Sequence, residues 1–310
     1  SINLGSLAVT GAITLTTNDS SGDDSDALIV NTIATLLAAS TVDGDLSATA
    51  TTGAITQSGA LTVGGTGTFV TSADDADIVL STATNAITGE VAFTTNTGQG
   101  ASAGTGDVTF DNGVLDVVFG ASTIDGNLVV ISGNVSGITD NGTVTVDADV
   151  SLTTDANAGV IVMNQLAQID NASNTLSLNT NGSGAATIVN ATAVNLAAGT
   201  VGGATSITAT LGNIIDAGTF TVSAGGATFV TSADNATITL GTLAVTGGIT
   251  LTTNDDSGAD ADATIVNATA FALGASTVDG DLSATATTGN LTDSGVLTVT
   301  GTSSFTTTRA

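Results

Sequence analysis

Cysteine, proline, histidine, lysine, tryptophan and tyrosine are all missing from this chain. Without Cys no disulfide framework staples the fold. Without Cys and His the usual zinc ligands are gone, and so are Ser/His/Asp and Cys/His nucleophilic machineries. The single basic residue, Arg309, faces 28 acids, for a net charge of −27. Such a surface cannot neutralise phosphates, which excludes nucleic acid and anionic lipid as partners. One arginine also leaves trypsin almost nothing to cut. Proline would remove ladder donors, so its absence fits a sheet with few true edge strands. No apolar run approaches the length of a membrane span, and insertion into a membrane is not expected. Nothing at Ser1 resembles a signal peptide, so an exported form would carry its targeting segment outside these residues.

What is present is small and apolar. Residues of the hydrophobic classes make up 41% of the chain, with only 8 Phe among them, while Gly reaches 39. A wide core around large side chains cannot be built from this, but a thin one of stacked Val, Ile and Leu can. Disorder would suit a Gly-, Ser- and Thr-rich acidic chain, yet disordered chains lack regularly alternating β-branched residues. Charged residues total 9%, too few for the acid-saturated surface of a halophile's cytoplasmic protein, and the charge serves to keep a long object soluble.

Repetition organises the sequence. LAVTGAITLTTND, Leu7 to Asp19, returns as LAVTGGITLTTND, Leu243 to Asp255, and STVDGDLSATATTG at 40–53 returns at 276–289. TFVTSADDADIVL at 68–80 is echoed by TFVTSADNATITL at 228–240. Diverged copies lie between: GASTIDGNL at 120–128 answers AASTVDGDL at 38–46, GITDNGTVTV at 137–146 answers AITQSGALTV at 54–63, and GNIIDAGTFTV occupies 212–222. The pattern gives four units of about 78 residues, near 1–80, 81–160, 161–240 and 241–310, in one continuous body over 1–310. Within each unit, short segments alternate at period two, as in Ile13-x-Leu15, Leu61-x-Val63, Ile78-x-Leu80 and Phe220-x-Val222, separated by Gly, Asn, Asp and Ser. These read as short strands and turns, and no window carries a helical stripe.

Tandem short strands allow a sandwich, a propeller or a solenoid. The units are too long for propeller blades, and a sandwich does not require the sequence to repeat. A solenoid does, because each coil meets nearly the same environment above and below. The expected fold is all-β, a single-stranded parallel β-helix. About fifteen coils of about 20 residues, stacked at about 4.8 Å, make a rod on the order of 70 Å long.

The strands GAITL 11–15, GGITL 247–251, GALTV 59–63 and GVLTV 295–299, with Gly/Asn/Asp corners, no Cys and almost no basic residues, resemble the passenger rods of large secreted bacterial adhesins. The nearest in kind are filamentous-haemagglutinin-like two-partner-secretion exoproteins and autotransporter β-strand repeats, and the resemblance spans the whole chain. It implies a right-handed β-helix on the surface of, or outside, a prokaryotic cell, engaged in adhesion or biofilm. The secretion domain and membrane barrel of those families are not visible.

Ser1–Leu7 aligns with Thr237–Leu243, and Phe305-Thr-Thr-Thr with Phe229-Val-Thr-Ser. In repeat phase the end of one chain falls a few residues short of the start of the next, and neither end reads as capped. Two expectations follow. Either copies join head to tail as an open homopolymer, or the residues are a slice of a longer tandem chain.

Chemistry has few candidates. NDSSGDDSD at 18–26 and NDDSGADAD at 254–262 gather carboxylates around a Gly, the oxygen-rich loop that a hard cation favours, with Asp19, Asp24 and Asp26 matching Asp255, Asp260 and Asp262. Calcium is the cofactor considered; NTGQGASAG at 96–104 and NTNGSGAAT at 179–187 lack the acids, so a solvated loop explains the pattern as well. A carboxylate pair for glycoside hydrolysis has its nearest candidates in Asp43 and Asp45, with Asp279 and Asp281; solvated turn aspartates are the plainer reading, and no enzyme activity is expected. Thr49/Thr51, Thr208/Thr210 and Thr285/Thr287 would need to recur on every coil to form an ice-binding face, and solvent-facing β-propensity accounts for them. Asn134, Asn190 and Asn267 head N-x-S/T triplets, glycan acceptors only in a glycosylating host. The functional expectation is an extracellular structural solenoid in a surface filament. An adhesin rod, stiffened by calcium and binding a cell-surface or matrix ligand, is the alternative, with an ice-binding or carbohydrate-active β-helix more distant.

Overall fold

Segments in which every second residue is apolar become strands with every second residue buried. Ala27–Asn31, Leu46–Ala50 and Ala186–Asn190 are five-residue strands of this kind. The computed structural model describes residues 1–18, 25–82, 84–96, 105–169, 173–254 and 261–308. Among the described residues there is no helix. Two compact units, Ser1–Ala156 and Asn157–Ala310, divide the chain. Each is a parallel β-solenoid, and the chain makes about 13 turns in all.

In the first unit a coil turns three corners. Leu46–Ala50, Ile55–Gln57 and Leu61–Val63 follow one another, and Gly67–Asp74 then lies directly on Leu46–Ala50. The second unit repeats the plan: Ala186–Asn190, Val194–Leu196 and Gly199–Val201 precede Thr205–Ala209, which pairs residue for residue with Ala186–Asn190. Parallel, in-register stacking puts each inward side chain on its counterpart one coil away. Ile29, Ala48, Phe69 and Phe93 form one such row in the first unit. Ile188, Ile207, Phe229 and Leu251 form another in the second. Phe69 and Phe93 stack with centroids 5.8 Å apart, and Phe110 and Phe119 close on Phe93 at 5.3 and 6.2 Å. Each fully buried large side chain contributes roughly 1.5–3 kcal/mol, so the fold rests on many similar terms.

Equivalent corners succeed one another after 19, 21, 20 or 22 residues. Longer steps also occur, of 30 residues from Asp77 to Asp107 and 24 from Asn213 to Thr237. These insertions bring the turn count to about 13, below the fifteen expected from a uniform coil.

Candidate functional site

With the apolar rows inside, the residues able to do chemistry are gathered at the corners, where three polar devices tie coil to coil. The first is a brace. In the first unit Asp26 Oδ1 accepts from the Asp45 N–H and Asp45 Oδ1 from the Thr66 N–H. Asp77 accepts from Asp107, Asp107 from Asn127, and Asn127 from Asp149 in the same way. In the second unit Asp262 accepts from Asp281 and Asp281 from Thr302. The Thr302 N–H holds the exposed Asp281 carboxyl below the ordinary carboxylate range. The residue before the recipient is glycine at every brace but that of Asp149, which follows Ala148, and at four of them the reason is spatial. A Cβ on Gly65, Gly126, Gly280 or Gly301 would stand 2.1, 2.3, 2.4 or 2.3 Å from the bracing carboxylate oxygen of the preceding coil. The D-G-D and D-G-N spellings are thus a brace with its clearance built in.

The second device is a latch. Thr17 Oγ1 donates to the Ser25 carbonyl and accepts from the Asp43 N–H of the next coil. Thr253 does the same with Ala261 and Asp279, and Thr180 with Gly184 and Gly202.

The third is an amide clamp. Buried Asn267 accepts from the Val245 N–H and donates to the Val245 carbonyl, so its side chain substitutes for a neighbouring strand's backbone. Asn31 clamps Val9, Asn112 clamps Ile87, and Asn190 clamps Gln168. Such a group buried without its partners would be costly. The signal in the sequence is parity. In Ala27-x-Ile29-x-Asn31 and Ala263-x-Ile265-x-Asn267 the asparagine keeps step with the inward positions, as Thr17 does in Ile13-x-Leu15-x-Thr17.

Of the six residues expected around calcium, Asp19, Asp24, Asp255 and Asp260 lie outside the described residues. Asp26 and Asp262 are placed, each as a brace. Among the described residues no three carboxylates are arranged to hold a metal ion. Of the candidate glycosidic carboxylates, Asp45 and Asp281 are occupied as braces, while Asp43 and Asp279 take the latch through their N–H groups. The Thr-x-Thr pairs do not share a face. Thr49, Thr208 and Thr285 lie on strands, whereas Thr51, Thr210 and Thr287 turn the corner and donate their N–H groups to Asn31, Asn190 and Asn267. Full burial of Asn190 and Asn267 removes them as glycan acceptors in the folded chain; Asn134, at a corner, holds the Val114 carbonyl. A shallow recess in the second unit, bounded by Ala204, Thr205, Gly226 and Gly248, has no titratable side chain in its lining. No helix among the described residues is long and apolar enough to cross a membrane.

A family model described as repeats of unknown function (DUF5649) matches residues 24–94 and 260–310. Those stretches contain the two copies of STVDGDLSATATTG, with the braces of Asp26, Asp45, Asp262 and Asp281 and the clamp residues Asn31 and Asn267. No curated protein and no solved structure matches the chain. What its own coils show is a structural β-solenoid repeat protein.

Proposed function

We propose that the chain builds an extracellular filament at or beyond a prokaryotic cell surface, in which one coil continues onto the next from chain to chain. One observation carries this reading. Phe69 and Phe305 occupy the same place in the repeat, over Ala48 and Ala284 respectively. The row above Phe69 is supplied by Phe93, and Phe69 is fully buried; Phe305 is 52% exposed. Leu291 and Leu297, equivalents of the buried Ile55 and Leu61, are also partly exposed. A further coil would bury all three, whether from this chain's own continuation or from a second copy. The N–H and C=O groups of Ser303–Thr307 are a template for the same addition. The brace, latch and clamp support the reading too, since they resist separation of coils along the stacking direction.

Electron microscopy of purified native material, with intact-mass measurement, tests it. Continuous thin fibres that dissociate in denaturant into one short repeating chain are the expected result. Isolated rods overturn head-to-tail growth. A much heavier single chain replaces polymerisation with one long tandem protein.

A further inference from the structure

Asp125 enters the corner devices through its N–H alone, and its carboxylate is buried. Asp125 follows the strand Ser122–Ile124 in the first unit and is 5% exposed. Its N–H is latched to Thr95 Oγ1, but no hydrogen bond reaches its carboxylate. Ile124 pairs in register with Val146, and the Asp147 N–H donates to the Ile124 carbonyl. Asp125 and Asp147 therefore stand one above the other at a single corner. Beneath them, at the end of Gly67–Asp74, lie Asp74 and Asp75, both of which press on Asp125 electrostatically, and Asp125 presses in turn on Asp147. The neighbouring acids of the adjoining column, Asp77 and Asp107, are already engaged as braces. No lysine or histidine exists in the chain to compensate, and Arg309 lies outside the described residues.

The other copies of the motif avoid this arrangement. Asp279, the equivalent of Asp125 in the second unit, is covered by Thr300, whose hydroxyl donates to the Asp279 carboxylate at 3.4 Å. Asp43 is exposed and has Gly64 above it. Of these three copies, only the corner of Asp125 sets a second carboxylate over the aspartate.

We propose that this corner is a proton-binding site, with one proton shared between Asp125 and Asp147, and that it tightens the coil stack of the first unit in mild acid. A protonated Asp147 becomes a donor to the Asp125 carboxylate one coil away, the role Thr300 fills for Asp279 in the second unit. Burial raises the Asp125 carboxyl above the ordinary range, with Asp75 and Asp74 adding to it, and burial followed by Asp125 raises Asp147. Because the folded form holds its proton more tightly than the unfolded, the penalty is absent below the ordinary carboxyl value. It grows as pH rises through the interval up to the raised value, and is constant above it. The pair titrates as a unit.

Side-chain carboxyl NMR of the full chain, labelled with carbon-13 at aspartate, tests the proposal, with Asp125→Asn used to assign the resonance. Thermal melting across the same pH range accompanies it. The expected result is an Asp125 midpoint above the ordinary carboxylate range, each unit of elevation giving a tenfold gain in the folding constant at the acidic limit. Asp147→Thr, which borrows the second unit's solution, should lower that midpoint. Asp125→Asn should flatten the rise in melting temperature on acidification. Asp43→Asn removes the same charge from an exposed corner and should leave the rise intact. An Asp125 midpoint at or below the ordinary range overturns the proposal. Equal flattening by Asp43→Asn also does, since general charge repulsion would then explain the acid response.

Discussion

Residues 40–53 and 276–289 are identical, yet the coils that follow them end in opposite circumstances. In the first unit Ile55–Gln57 and Leu61–Val63 bury their inward residues, and Phe69 is sealed. In the second unit Leu291–Asp293 and Leu297–Val299 are strands of the same length and register, but their inward residues stay partly exposed and Phe305 faces solvent. Local pattern makes the strand in both. Only the coil laid over it makes the core. Shape in this protein is thus propagated: each coil is folded by its sequence and finished by its successor.

The comparison breaks most sharply at its aromatic pair. Phe69→Ala should destabilise the chain by about 3–5 kcal/mol, the usual cost of emptying a sealed aromatic site. Phe305→Ala should cost less than about half of that, since much of the ring is already wet. Chemical denaturation measures both, and equal losses would show that the covering coil is not what separates the two sites.

Next come the clamps. Asn267→Ala strands the N–H of fully buried Val245, whose carbonyl keeps the Thr269 hydroxyl as a donor, and should cost roughly 1–3 kcal/mol. Asn31→Ala strands Val9, which is only half-buried, and should lower the melting temperature less. The brace is tested by a double-mutant cycle. Gly65→Ala drives a Cβ into Asp45 Oδ1 and should cost about 1–2 kcal/mol, of the order of one charge-assisted hydrogen bond. In an Asp45→Ala background the same change should cost measurably less, because the displaced oxygen is gone.

Smaller effects refine the picture. Ala158 holds φ = 67°, a left-handed conformation that Asp75 and Asn235 hold at 55° and 62°. Alanine lacks the local hydrogen bonding that lets Asp and Asn tolerate that region, so Ala158→Gly should raise stability by up to about 1 kcal/mol. Asn235→Gly should gain less. The smallest effect is Asp281→Asn. The carboxyl of Asp281 is depressed by the Thr302 N–H, so its stabilising contribution is present above the ordinary carboxyl value and lost as pH falls through the folded one. Melting below about pH 4 should therefore bring wild type and Asp281→Asn together. Asp125 responds to acid with the opposite sign.

The sequence by itself determined the fold class, because period-two alternation, β-branched residues and exact repetition leave few ways to bury a thin aliphatic stripe. It also located the corners, since Gly, Asn and Asp interrupt each strand in step. The work done at those corners was much less legible. Asp45 and Asp281 look like solvated turn residues or a carboxylate pair until the next coil's N–H is set against them. Asn190 and Asn267 match a glycan-acceptor spelling, and only their inward parity hints that they are clamps. Asp125 and Asp279 share the spelling S-T-[IV]-D-G, yet Asp147 covers one and Thr300 the other, a pairing fixed by register across a coil of 22 or 21 residues. Tertiary structure alone decided these outcomes, because a corner side chain's partner lies one coil away, and insertions of variable length set which residue arrives there.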